Sequence, residues 1–249
     1  MTDAPAAFFV REEGTYRPTG LGVSSWDPNA QGGAVLSGLA GQLLGAVPTP
    51  VAMTPLRFTV DIYGAVPMVP LTPTIRMLRE GRRIQTAEVT LEADGRTWVR
   101  ATLLRARIED QGAQVIPLTR PFPDVSAPWR GLMSDIVRVE GDGKAIGPGA
   151  AWVRIVTPMI AGEPLSPLAC VATAGDFGTN IAPPASFRDF TCANLDLTLH
   201  LSRLPVGEWM LLDAVNEITG NGTGMIHMRL GDRQGMFGTA HQGLFIDRR

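Results

Sequence analysis

The chain is short of cysteine, histidine and aromatic side chains, and neither sign of charge dominates. Its 249 residues include 2 cysteines, 3 histidines and 6% aromatics, and 22 Lys+Arg against 24 Asp+Glu leave a net charge of −2. Cys170 and Cys192 have no further Cys or His at ligand spacing, which argues against a disulfide framework and a zinc site and makes a reducing cytoplasm the expected setting. Without a basic excess, nucleic acid is not an expected partner. No apolar run approaches the ~18 residues that a spanning helix needs. The start, Met1-Thr2-Asp3-Ala4-Pro5, carries no basic leader, so neither membrane insertion nor secretion is expected.

Glycine and proline, 28 and 20 residues, are plentiful, as many turns between short strands require. The segment Gly33 to Gly45 places Val35, Leu36, Leu39, Ala40, Leu43 and Leu44 at helical spacing among small residues, which predicts a helix packed on all sides, with Asn29 as its cap and Gly45 as its end. Leu56, Phe58, Val60 and Ile62 then alternate with polar residues, the signature of a strand with one buried face. Three more strands are expected over Thr72 to Leu78, Ile84 to Leu91 and Arg96 to Arg107, in an antiparallel meander. Prolines at 117, 121, 123 and 128 and the glycines of 141–149 mark residues 111–149 as a connecting segment.

The later part follows the same plan. A strand at Trp152 to Val156 precedes an Ala-rich helix from Ser166 to Gly175, with Ser166 at the N-cap and Pro167 in the first turn. Leu195-Asp196-Leu197-Thr198-Leu199-His200-Leu201 aligns without a gap on Leu56 to Ile62, and strands over Glu208 to Glu217, Thr223 to Leu230 and Met236 to Ile246 close the chain. One unit used twice is the economical reading. An apolar helix beside a long antiparallel sheet is buried best when the sheet curls round it, giving an α+β double hotdog: an N-terminal repeat over 1–110, a connector over 111–149 and a C-terminal repeat over 150–249. Sheet edges left open allow a homo-oligomer.

Gln31-Gly32-Gly33 opening the first helix and Leu78-Arg79-Glu80-Gly81-Arg82-Arg83 resemble the first repeat of the TesB-like, type II acyl-CoA thioesterases. Leu195 to His200, Pro205, Glu208-Trp209 and His241-Gln242-Gly243 resemble the second. The resemblance implies hydrolysis of a fatty-acyl-CoA substrate without metal or cofactor, by a water that an aspartate, a hydroxyl residue and a glutamine hold. It puts the aspartate at Asp196 and the glutamine at Gln242. The hydroxyl position falls on Glu217, a departure, with Thr219 on the same strand face two residues later.

The bland alternatives stay open for each. Alternation alone turns Asp196 to solvent, as it does Arg57; Gln242 also suits hairpin pairing; and Glu217 either shares the proton work, raises the Asp196 pKa as a like charge, or lies on the surface. Gly32 and Gly33 fit either oxyanion-binding amides at a buried helix start or a tight turn. His200 and His241 read as sheet residues, since no nucleophile elbow accompanies them. Asp176 is a second candidate carboxylate, with a C-terminal turn role favoured. Arg79, Arg82 and Arg83 suit either coenzyme A phosphates or a solvated hairpin. A non-catalytic acyl-CoA-binding hotdog protein is the alternative function, and a hotdog hydratase is disfavoured by the lack of an Asp/His pairing at a helix start.

Overall fold

Alternation of apolar and polar residues dominates the chain, and the computed structural model, which describes residues 7–109, 112 and 114–249, is accordingly mostly antiparallel strand. The stretch Met1 to Pro5 and the expected boundary at 110/111 lie outside the described residues. A hairpin of β1 (Phe9–Glu12) and β2 (Thr15–Pro18) precedes helix α1 (Gly33–Gly45). Next come β3 (Met53–Ile62), β4 (Thr72–Arg79), β5 (Ile84–Ala93) and β6 (Arg96–Arg107). Then β7 (Trp129–Arg130), β8 (Ser134–Glu140) and β9 (Gly149–Ile155) lead to α2 (Pro167–Gly175) and the short α3 (Gly178–Ile181). The chain ends with β10 (Phe190–Asn194), β11 (Asp196–Leu201), β12 (Met210–Ile218), β13 (Thr223–Asp232) and β14 (Gly235–Arg248).

Twelve strands form one sheet in the order β4-β5-β6-β3-β11-β14-β13-β12-β9-β8-β7, with β10 added on β14. The seam between the earlier and later parts is the antiparallel pair β3–β11, where Thr59 faces Thr198. Inward residues such as Phe58, Val60, Val89, Leu103, Leu197 and Leu199 are buried and enclose both helices.

Small residues let α1 and α2 meet closely. A Cβ at Gly41 would lie 3.1 Å from that of Ala172, and one at Gly38 would overlap Met159 and Thr173. The C-terminal carbonyls of α1 are satisfied by buried Arg105, whose guanidinium donates to Leu44 O at 2.6 Å and Gly45 O at 3.1 Å. Ser166 caps α2 as expected, its hydroxyl accepting the Ala169 amide at 3.1 Å.

Two expectations are corrected. The N-cap of α1 is Gly32, without a side-chain cap, whereas Asn29 donates its amide to Asp27 Oδ1 in a local turn. Nor is 111–149 only a connector, because β7 and β8 extend the sheet beyond β9. Its prolines serve as cover for the outer face: Phe122 packs edge-on to Trp152 at 4.7 Å, and Pro121 O accepts the Trp152 indole N–H.

Candidate active site

The N-terminal end of α1, the C-terminal end of α2 and the β10–β11 junction meet around a cavity of about 1020 Å³. Its wall includes Gly32 to Leu36, Ile62 to Ala65, Asp176 with Phe177, and Ala193 to Leu195, and Ser24 to Asp27 and Trp129 to Ser134 also contribute. Apolar groups supply most of the surface, as is usual for a small-molecule site.

Two acids stand in this wall, Asp27 and Asp176, and Asp176 is the buried one. Asp176 follows α2 directly as its C-cap and is 8% exposed. A Cβ added to Gly33 would touch both Asp176 oxygens, at 3.2 and 3.3 Å, so the glycine lets α1 bring its N-terminus against the acid. Burial pushes the Asp176 carboxyl up to about 7, opposed by Asn194, whose Nδ2 donates to Asp176 Oδ1 at 2.7 Å, and by the Ser37 hydroxyl. The buried Ser37 Oγ nonetheless completes no hydrogen bond of ordinary geometry with any described residue. A carboxyl held near neutrality can take a proton and return it.

Gln242 lies behind Asp176. Its Nε2 donates to the Asp176 carbonyl at 3.1 Å, and its buried Oε1 has no partner among the described residues. That oxygen sits where a side chain on residue 178 would be, so Gly178 is needed there. Beside Asp176, the amides of Gly33 and Ala34 at the start of α1 have no acceptor among the described residues. They carry the positive end of the helix dipole toward the site.

Of the residues expected from sequence, Gly32 and Gly33 line the cavity and Gln242 reaches its acid, but Asp196 does not. Asn194 pairs with Leu244 whereas Thr198 pairs with His241, a one-residue change of register at Leu195. Such a slip reverses the faces that side chains take. It sends Asp196 to the outer surface, where its Oδ1 accepts the Gly243 amide at 2.6 Å, and leaves Asn194 on the cavity side. Asp196 therefore ties down a bulge.

Glu217 is also displaced: its side chain is 64% exposed on the outer face, 3.6 Å from His227 Nε2, and Thr219 bonds Asn221 in an exposed turn. His200 and His241 occupy β11 and β14 away from the cavity, His241 sharing an Nδ1···Nδ1 contact of 3.0 Å with His227. Burial and the neighbouring His227 lower the His241 pKa. Arg79, Arg82 and Arg83, at the β4–β5 turn, do not line the cavity. Sequence reasoning missed Asn194. For Asp176 one signal was present: an acid at a helix C-terminus opposes the dipole, so its presence there calls for a reason.

No curated protein matches at a significant level. The structure is similar to an acyl-CoA thioesterase II, TesB2, from Mycobacterium marinum (16% identity, TM-score 0.69, 96% of this chain and 94% of that one). It is similar to a tesB protein from Mycobacterium avium subsp. paratuberculosis (14%, TM-score 0.71, 96% of each). It also resembles a protein of unknown function with the hot dog fold from Alicyclobacillus acidocaldarius (12%, TM-score 0.75, 96% and 95%). These distant likenesses establish an α+β hotdog fold. Residues 23–106 match the family model of the acyl-CoA thioesterase N-terminal domain and residues 111–246 that of the C-terminal domain, so the chain belongs to the acyl-CoA thioesterase family, in its TesB-like form.

Proposed function

We propose that the protein hydrolyses a fatty-acyl-CoA to the free acid and coenzyme A, with Asp176 as the general base. A water held by the Asp176 carboxylate attacks the thioester carbonyl carbon while its proton passes to Asp176, and Gln242 steadies the acid from behind by donating to its backbone carbonyl. Asn194 fixes the carboxylate by donating to Oδ1, leaving Oδ2 for the water. The carbonyl oxygen, now an oxyanion, is received by the Gly33 and Ala34 amides at the positive end of α1. The tetrahedral intermediate collapses by breaking the C–S bond, and the proton on Asp176 goes to the departing thiolate. No metal or prosthetic group takes part in these steps.

The observation that carries this reading is the buried Asp176 carboxyl, near 7, packed against a helix N-terminus in an apolar cavity. Two fused hotdog repeats, divided near residue 110 and joined at β3–β11, would explain why the amides come from the earlier part and the acid from the later. Residues 111–149 would then belong with the C-terminal repeat. A cytoplasmic setting accords with two unpaired thiols.

Thiol release from acyl-CoA tests the assignment. Asp176→Asn should lower kcat by about 10²- to 10⁴-fold, the usual worth of a positioned base, while Asp196→Asn retains most of the activity. Loss in the Asp196 variant with Asp176→Asn active would reverse the roles. Acyl-CoA binding without any release would instead support a binding protein.

A further inference from the structure

The rim of the cavity carries indole rings and guanidinium groups that hydrolysis itself does not use. Trp129 is 66% exposed although it lines the cavity, and the side chain of Arg130 beside it makes no ion pair or hydrogen bond with a described residue. On another side Trp26, also in the wall, has the Arg249 guanidinium 5.7 Å from its ring centroid and the Phe187 edge at 5.2 Å. On a third, Arg96 stacks on Trp98 at 3.9 Å and donates to the carbonyl of Tyr63, a wall residue, at 3.2 Å. Neither Arg96 nor Arg249 is within ion-pair distance of a carboxylate among the described residues. The one acid in the wall near the mouth, Asp27, accepts the Asn29 amide.

A single exposed aromatic is ordinary, but Trp129 shares the cavity wall with Leu132, 76% exposed, and grouped apolar exposure marks a binding surface. Guanidinium groups at fixed positions match phosphate oxygens by paired hydrogen bonds, and an indole face stacks on a purine. A ligand that presents both, on a thin arm able to enter the cavity, would satisfy the rim and the interior together. We propose that Trp129 and Arg130, together with Trp26 and Arg249, form the subsite for the phosphorylated adenosine end of coenzyme A, with the pantetheine arm running inward to Asp176. This inference rests on the thioesterase reading and adds to it the part of the substrate held at the mouth.

An acyl carrier protein delivers the same arm without the nucleotide. It is disfavoured because docking an acidic protein calls for a broad basic surface, whereas this chain carries a net charge of −2 and its rim offers a few guanidiniums set among aromatic planes.

The experiment compares decanoyl-CoA with S-decanoyl pantetheine in thiol release by native protein, Arg130→Ala and Trp129→Ala. Calorimetry with adenosine 3′,5′-bisphosphate runs in parallel and needs no turnover. The native protein should prefer the CoA ester by KM. In each variant that preference should fall about tenfold, through KM rather than kcat, and bisphosphate affinity should fall with it. An unchanged CoA-to-pantetheine ratio would overturn the subsite, as would variants that lose activity only on decanoyl carrier protein. If neither ester is cleaved but the native protein binds the bisphosphate and Arg130→Ala does not, the hydrolase reading fails and the subsite stands. Absence of bisphosphate binding by the native protein, with both esters cleaved equally well, would remove the subsite and leave the hydrolase reading in place.

Discussion

Asp176 and Asp196 differ in what surrounds them rather than in chemistry. The first is walled in by apolar groups and helix backbone, which lifts its pKa to about 7; the second reaches the outer face and accepts a backbone amide. The lifted value has a consequence for stability. Unfolded Asp176 would titrate near 3.8, so the folded state holds a proton that the unfolded state has lost across the interval from about 4 to 7. Its contribution to stability is fully present below about 4 and is lost as pH rises through 7. Native protein should therefore lose on the order of 2 kcal/mol from this group between pH 5.5 and 7.5. Asp176→Asn should lack that loss. Urea denaturation of both proteins at the two pH values measures it, and the difference between them isolates Asp176 from the opposite dependence of paired acids such as Glu88 and Asp232, whose pKa values are lowered.

At the scale of elements, the register slip at Leu195 and the contact of α1 with α2 decide where the site lies. Alternation made the strands legible: β3, β4, β5 and β6 fall within two residues of expectation at most ends, except that β3 starts earlier at Met53. The Ser166 cap and Pro167 start marked α2 equally well. A single inserted residue between β10 and β11 was not legible, because Leu195-Asp196-Leu197 continues the period-two pattern through the bulge. That continuity puts Asn194 and Asp196 on one face by pattern, whereas the bulge turns Asp196 outward and leaves Asn194 on the cavity side. The connector at 111–149 hid β8 for a related reason: its prolines and glycines punctuate a segment that still pairs with β9 over six positions.

Gly38 tests the helix contact. Any Cβ there overlaps Met159 and Thr173, so Gly38→Ala should destabilise the protein by about 1–3 kcal/mol, as overpacking of a tight interior does. A denaturation midpoint equal to that of native protein would mean that the helices separate more easily than their packing indicates. Gly45, at the far end of α1, has only ordinary contacts at 3.5 Å or more and is the matching control in the same helix.

On the scale of the whole molecule, the cavity exists only where distant segments meet. The start of α1 and the end of β3 come from one part of the chain, and Asp176, Asn194 and the β7–β8 rim come from the other. Composition and alternation foretold a curled sheet around buried helices, because those depend on local pattern; the site depends on which helix end faces which, and that is set by the β3–β11 seam and the close helix contact. Within the described residues no helix is long and apolar enough to cross a membrane. The cavity thus draws its apolar wall and its buried acid from segments far apart in the chain.

The dependence of kcat/KM on pH for acyl-CoA cleavage addresses the role of Asp176 most directly. Activity should rise with pH through an apparent pKa near 7 as the carboxylate forms, and the residual activity of Asp176→Asn should lack that inflection. A native profile flat from pH 5.5 to 8.5, or an inflection that persists in the variant, would contradict the account.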